Sequence, residues 1–204
     1  VRDAPAQGEH VGGNGNGEAV YVMILRHYGE PHRAYHTLAH IEHCLAEFDG
    51  VRHLARNPDA VEMALWFHDV IYNPRLRDNE EESAKLAKLL LGRSPHAEVV
   101  ALLIQNTKNH KRLGSDFDLL CDIDLAILGQ PESIFDAYER QIRKEYEKVP
   151  PLVFNFERMG ILQALLDNIL GIYNTPYFRE KYEAEARNNL ARSIARLQEP
   201  PPLS

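Results

Sequence analysis

The sequence predicts an all-α, single-domain helical bundle, and three observations carry that expectation. First, nearly all apolar positions between residues 18 and 198 recur at helical period, with no alternating strand pattern or hairpin turn. Second, 204 residues with 44% hydrophobic content suffice for one core, since a chain this long buries about 70% of its unfolded surface. Third, no internal repeat or second composition regime interrupts the chain.

The elements follow in order. Residues 1–17, rich in glycine and asparagine, are expected to form a flexible tail. A first helix is expected over 18–29. A second, over 36–49, carries His36, His40, His43 and Cys44 at spacings that share a side. The third, over 58–72, places Val61, Ala64, Leu65, His68 and Tyr72 on one stripe. Asp78 followed by Glu81 resembles a capping box opening a helix over 79–92. Ser94-Pro95 puts proline in the first turn of another over 95–109. In the next, over 117–129, Cys121, Asp124, Leu125 and Leu128 form an apolar stripe, whereas Asp122 shares a more solvated side with Asp118. Gly129-Gln-Pro131 ends that helix and starts one over 131–148, followed by helices over 153–173 and 177–197. The prolines after Glu199 stop the last, so 199–204 reads as a second tail and 18–198 as the domain.

Composition narrows the function classes. A net charge of −7 argues against a nucleic-acid polymer or an anionic membrane as partner. No apolar run reaches the roughly 20 residues of a membrane span, and the start is not signal-like. Cys44 and Cys121 lie among apolar neighbours and read as buried, reduced thiols, which suits the cytoplasm.

The chemistry concentrates in histidine and aspartate. All ten histidines fall within the first 110 residues. The pair His68-Asp69 is weak by itself, because this composition yields roughly 0.5 such pairs by chance. Its position is what matters: His68 lies on the core stripe, and Asp69 is rotated about 100° from it. Polar groups in apolar stripes are costly unless paired or metal-bound. Three helices of this kind could pool two histidines and two aspartates around one divalent ion. Asp124 is the better ligand on the later helix, with Asp122 in reserve.

These residues carry a resemblance. The order His, His-Asp, Asp on successive helices resembles the HD superfamily of metal-dependent phosphohydrolases, more specifically a bacterial subfamily described as predicted metal-dependent HD phosphohydrolases. The matching segments include Tyr28-Gly-Glu-Pro-His-Arg33-Ala-Tyr35-His36-Thr-Leu-Ala-His40, Trp66-Phe-His68-Asp69, Asp78-Asn79-Glu80, Thr107-Lys108-Asn-His110 and Asp122-Ile-Asp124, within about residues 20–190. The resemblance implies an HD-type bundle with His40, His68, Asp69 and Asp124 as metal ligands. His40 is favoured over His36 because it precedes an aliphatic residue, Ile41, as the superfamily's first ligand typically does. His36, Arg33, Lys108 and His110 are then expected to bind substrate, and Asp69 and Glu80 to serve catalysis. A helix start is the competing reading of Glu80.

One divalent ion (Mn, Co, Ni, Zn, Fe or Mg) is the expected cofactor; mixed imidazole and carboxylate ligands suit Mn, Co, Ni, Zn or Fe better than calcium. Only His96 and His110 lie between the His-Asp pair and the last aspartate, which favours one ion over two. The expected activity is hydrolysis of a phosphate ester of a small molecule, such as a nucleotide, with self-association left open. The alternatives are a di-iron oxygenase on the same scaffold and a non-catalytic metal- or nucleotide-binding protein.

Overall fold

In the computed structural model, residues 14–199 are described, with side chains from residue 17 onward. The expected tail segments 1–13 and 200–204 lie outside the described residues. The described chain is all α-helical, with no strand. Its helices are α1 (Asn14–Tyr28), α2 (Leu38–Val51), α3 (Pro58–Phe67), α4 (Asn79–Leu91), α5 (Ala97–Thr107), α6 (Ser115–Asp124), α7 (Glu132–Glu145), α8 (Pro151–Leu166) and α9 (Pro176–Gln198). Short 3₁₀ segments at Arg52–Leu54 and Leu125–Gly129 extend α2 and α6. The chain divides into two compact units, one ending at Ile123 and one starting at Asp124.

In the first unit, α3 packs on α2 and α5, and α4 packs on α5. The core joins Ile41, Cys44 and Phe48 of α2 to Val61, Ala64 and Leu65 of α3 and Leu103 and Ile104 of α5, all fully buried. Asn57 starts α3, its side chain accepting the Ala60 N–H at 3.2 Å, with Pro58 in the first turn; such a cap contributes about 1 kcal/mol. The Asp116 carboxylate accepts the N–H groups of Arg56 and Asn57 at 2.7 and 2.9 Å, tying the start of α6 to the start of α3. Neither Cys44 nor Cys121 forms a disulfide, and both are buried.

α3 stops at Phe67, five residues short of the expected end. Past it the Val70 N–H bonds the Phe67 carbonyl, three residues back rather than the helical four. The carbonyls of Asp69 and Val70 instead turn toward the guanidinium of Arg33. α4 starts at Asn79 as expected, but the Asp78 side chain makes no cap hydrogen bond, and the Glu81 side chain pairs with Lys108 instead of reaching back. α5 starts at Ala97, leaving Pro95 in the turn before it.

In the second unit, α9 packs on α8 and on the 3₁₀ segment after α6. Gly129 is needed there, because a Cβ on it would lie 2.4 Å from the Tyr182 Cβ. Fully buried Asn189 of α9 donates to the carbonyls of Leu128 and Gln130 at 2.9 and 2.8 Å. Arg192 and Arg196 converge on Asp136 of α7, and these hydrogen bonds, Arg196 foremost, hold the Asp136 carboxyl below its usual range. α8 ends at Leu166 rather than near 173. Beyond it Gly171 takes a positive φ of 96°, and the Glu183 carboxylate accepts the Ile172 and Tyr173 N–H groups. Side chains of α9 thus replace the helical hydrogen bonds that the expected longer helix would have made.

Candidate metal centre

The site is built at helix ends. His40 lies in the first turn of α2, His68 caps the C-terminus of α3, Asp69 follows it, and Asp124 is the last residue of α6. His40, His68 and Asp124 each offer a ligand atom, all within 4.8 Å of one another. His40 and His68 are 3% and 2% exposed, so this is an interior group, whereas Asp124 is half-buried. The two Nε2 atoms are 3.2 Å apart. The Asp69 Oδ2 lies 3.1 Å from His68 Nε2 and 3.5 Å from His40 Nε2.

Those distances test whether an ion fits. Ligands about 2.1 Å from one ion sit roughly 3.0 Å apart at right angles and 3.4 Å apart at tetrahedral angles. The triangle of His40, His68 and Asp69 has two sides in that range, 3.1 and 3.2 Å, and a third of 3.5 Å just above it. A further observation concerns the tautomer. His68 Nδ1 is 2.9 Å from the Leu65 carbonyl, which can only accept, so Nδ1 carries the proton. The Nε2 lone pair is thereby left facing His40 and Asp69. A backbone carbonyl holding the far nitrogen of a ligating imidazole is a recurrent arrangement in metal sites. The residues could hold a metal ion.

Around this triangle lies a rim of aromatic and imidazole rings. His36 stacks on Tyr72 at 4.1 Å between centroids and stands edge-on to His40 at 6.0 Å. Tyr35 lies 4.8 Å from the His40 ring, and Cys44 Sγ is 3.7 Å from its nitrogens. His36 is half-buried beside the centre rather than within the ligand triangle. Cys44 was legible as the residue one turn after His40. The Leu65 carbonyl, three residues before His68, has no side-chain signature at all.

Arg33 occupies a different place from the phosphate donor the sequence suggested. Its guanidinium is buried and donates to the carbonyls of His36 (3.0 Å), Asp69 (2.7 Å) and Val70 (2.9 Å), and to Glu30 (3.1 Å). It also lies over the rings of Tyr28 and Tyr72. Arg33 therefore fixes the turn that presents Asp69, and four of its donor bonds are already made within the protein. Tyr28 braces the same turn by donating to the Trp66 carbonyl at 3.0 Å, and burial followed by the nearby Asp69 charge pushes its hydroxyl well above the ordinary range.

Glu80 stands in the first turn of α4, half-buried. Burial raises its carboxyl above the ordinary glutamate range, with Lys108 opposing the shift and Asp69 adding to it. Glu80 thus stands at the helix start and feels the charge of Asp69 from there. Lys108 caps α5 and donates to Glu81 and to the Arg77 carbonyl, pinning α4 to α5. His110 follows with a positive φ of 46°. His96 lies elsewhere, its ring 3.3 Å from the Asn57 amide.

Asp122 reverses one expectation. It is fully buried, whereas Asp124 is half-buried. Leu119 through Ile123 are all buried, so this part of α6 is covered on every side and has no solvated face to assign. Asp124 is nonetheless the aspartate of α6 that joins the two histidines.

No family model matches the chain, and no curated protein or solved structure matches it either. No helix among the described residues is long and apolar enough to cross a membrane.

Proposed function

We propose that this protein is a metal-dependent phosphohydrolase acting on a phosphate ester of a small molecule, a nucleotide being the foremost class. The observation that carries the proposal is the triangle of His40, His68 and Asp69 with ion-sized sides, joined by Asp124. The order of these residues along the chain, which resembles the HD phosphohydrolases, supplies the reaction class.

In this reading His40, His68, Asp69 and Asp124 hold the ion. When bound, a divalent ion supplies polarisation of a phosphoryl oxygen and activation of water as nucleophile. Asp69, at the edge of the group with its side chain 18% exposed, orients the attacking water. Glu80, whose carboxyl keeps its proton to higher pH than an ordinary glutamate, donates that proton to the leaving oxygen. His36, half-buried beside the ligands, is the nearest imidazole donor for the phosphate, with Lys108 and His110 as further donors that the resemblance implies. Arg33 acts through the Asp69 turn.

The test is elemental analysis of the purified protein, followed by a hydrolysis screen over nucleotides and sugar phosphates with Mn, Co, Ni or Mg. One ion per chain with hydrolysis lost in both His68→Ala and Asp124→Ala is the expected result. Two tightly bound irons with an optical band would indicate an oxygenase instead. Metal without turnover of any phosphate ester would indicate a binding protein.

A further inference from the structure

The buried stripe of α8 carries a charge at its centre. Phe154, Arg158 and Leu162 follow one another at a spacing of four, and Phe154 and Leu162 are buried. The Arg158 side chain between them is only 10% exposed. A buried ion pair is seldom more stabilising than apolar side chains of the same volume. A guanidinium on such a stripe therefore calls for a reason beyond packing.

Its hydrogen bonds are incomplete. Nη2 makes the two that hold it, to the Tyr138 hydroxyl at 2.7 Å and to the Glu139 carboxylate, both on α7. Nε is buried and has no hydrogen-bond partner. Glu139 is not at liberty to serve it, because its second oxygen accepts from the hydroxyl of buried Ser193 on α9 at 2.7 Å. An unmade hydrogen bond on a buried cation is costly, and a ligand that accepts it removes the cost.

Two observations say which ligand. The first is place. Burial foremost raises the Tyr138 hydroxyl above the ordinary tyrosine range, and the Asp124 carboxylate adds to that shift. Tyr138 thus stands between Arg158, to which it is bonded, and the aspartate that joins the candidate metal group. The second is charge. Asp69 and Asp124 would offset a divalent ion in full, so a phosphate ester needs a further cation beside it. Arg33 is engaged by three carbonyls and Glu30, and Lys108 by Glu81 and the Arg77 carbonyl. Arg158 keeps a donor open.

We infer, resting on the phosphohydrolase reading above, that Arg158 binds the substrate phosphate, its Nε–H donating to a phosphoryl oxygen while Nη2 stays anchored on Tyr138 and Glu139. The charge-assisted bond is of the kind that makes arginine the common partner of phosphate. The anchored Nη2 fixes the guanidinium before the phosphate arrives.

Inorganic phosphate titrated calorimetrically into the full chain tests this, in metal-free and cobalt-loaded samples. The wild type should bind phosphate in both, more tightly with cobalt. Arg158→Lys keeps the charge but loses the Nε donor, and should weaken phosphate binding at least about 10-fold in both samples. Its cobalt content and far-UV circular dichroism should match the wild type. The double variant Arg158→Met with Glu139→Gln removes the cation without leaving a buried carboxylate unpaired. It should abolish phosphate binding to the metal-free chain, and it serves where the lysine variant does not fold. Unchanged phosphate affinity in either folded variant, with only the unfolding midpoint shifted, marks a structural ion pair and overturns the inference. A wild type that binds no phosphate with or without cobalt overturns it too. A wild type that takes up no metal sinks the metal-dependent reading alone, because the metal-free titration still decides the role of Arg158.

Discussion

Helices α3 and α8 make an instructive pair. Both open with proline in the first turn and both are rich in apolar residues, yet the chain treats them oppositely. In α3, Ala60, Val61 and the run Ala64–Phe67 are buried, and the helix delivers a buried imidazole at its end. In the longer α8, Phe154 and Leu162 alone are buried, and the large side chains of the other face meet solvent. The informative departures from ordinary partition are a polar group inside and a broad apolar patch outside. The first is the candidate metal site at the end of α3, and the second is the exposed Leu152, Val153 and Phe156 of α8.

The comparison can be broken or sharpened by measurement. The largest effect is expected at the end of α3. His68→Ala should lower divalent-metal affinity by at least about 10³-fold, read by equilibrium dialysis with cobalt or zinc, since a ligand and its fixed tautomer go together. Unchanged metal content in a folded variant would break the α3 half of the comparison. Next, Leu65→Ala in the fully buried α3 core should cost about 3 kcal/mol of unfolding free energy in urea titrations.

Arg33→Met should cost a similar amount, about 3 kcal/mol, because it strips donors from one buried and two partly buried carbonyls. It should also weaken metal binding by about 10–100-fold and alter the visible spectrum of the cobalt-loaded protein. A purely structural role would change the unfolding midpoint and leave that spectrum as it was.

A smaller, pH-dependent effect is expected at Glu80. Burial raises its folded carboxyl pKa above the unfolded value, so the charged form is penalised in the folded state. Below the unfolded pKa both states are protonated and nothing is lost. The penalty grows as pH rises through the unfolded toward the folded value, and it is complete above the latter. Glu80→Gln should therefore raise the metal-free Tm at neutral pH and leave it unchanged near about pH 3. The smallest effect belongs to α8: Phe156→Ala, at an exposed position, should change stability by less than about 0.5 kcal/mol in urea titrations.

How far the sequence reaches differs between the same two helices. The start of α3 and the bundle architecture were legible, because Asn57-Pro58 and the helical period state them directly. The end of α3 was not legible, because the apolar stripe continues to Tyr72 and a proline at 74 permits a helix through that residue. Asp124 emerged from its stripe, whereas the burial of Asp122 did not, because face assignment presumes a helix with one wet side. The use of Arg33 was out of reach, since a cation that binds backbone carbonyls leaves no pattern in the side chains it serves. The bare face of α8 was equally silent, because apolar period alone does not distinguish a face covered by the chain from one left open.

The Arg33 anchor has a consequence for how this turn can change. It grips the carbonyls of residues 69 and 70, and every amino acid supplies the same carbonyl. Replacing the side chain at position 69 therefore leaves the anchorage intact while changing the donor offered to the ion. The turn behaves as a socket with an exchangeable pin: Asp69→Glu, Asp69→His and Asp69→Cys should all fold, and each should rank divalent ions in its own order.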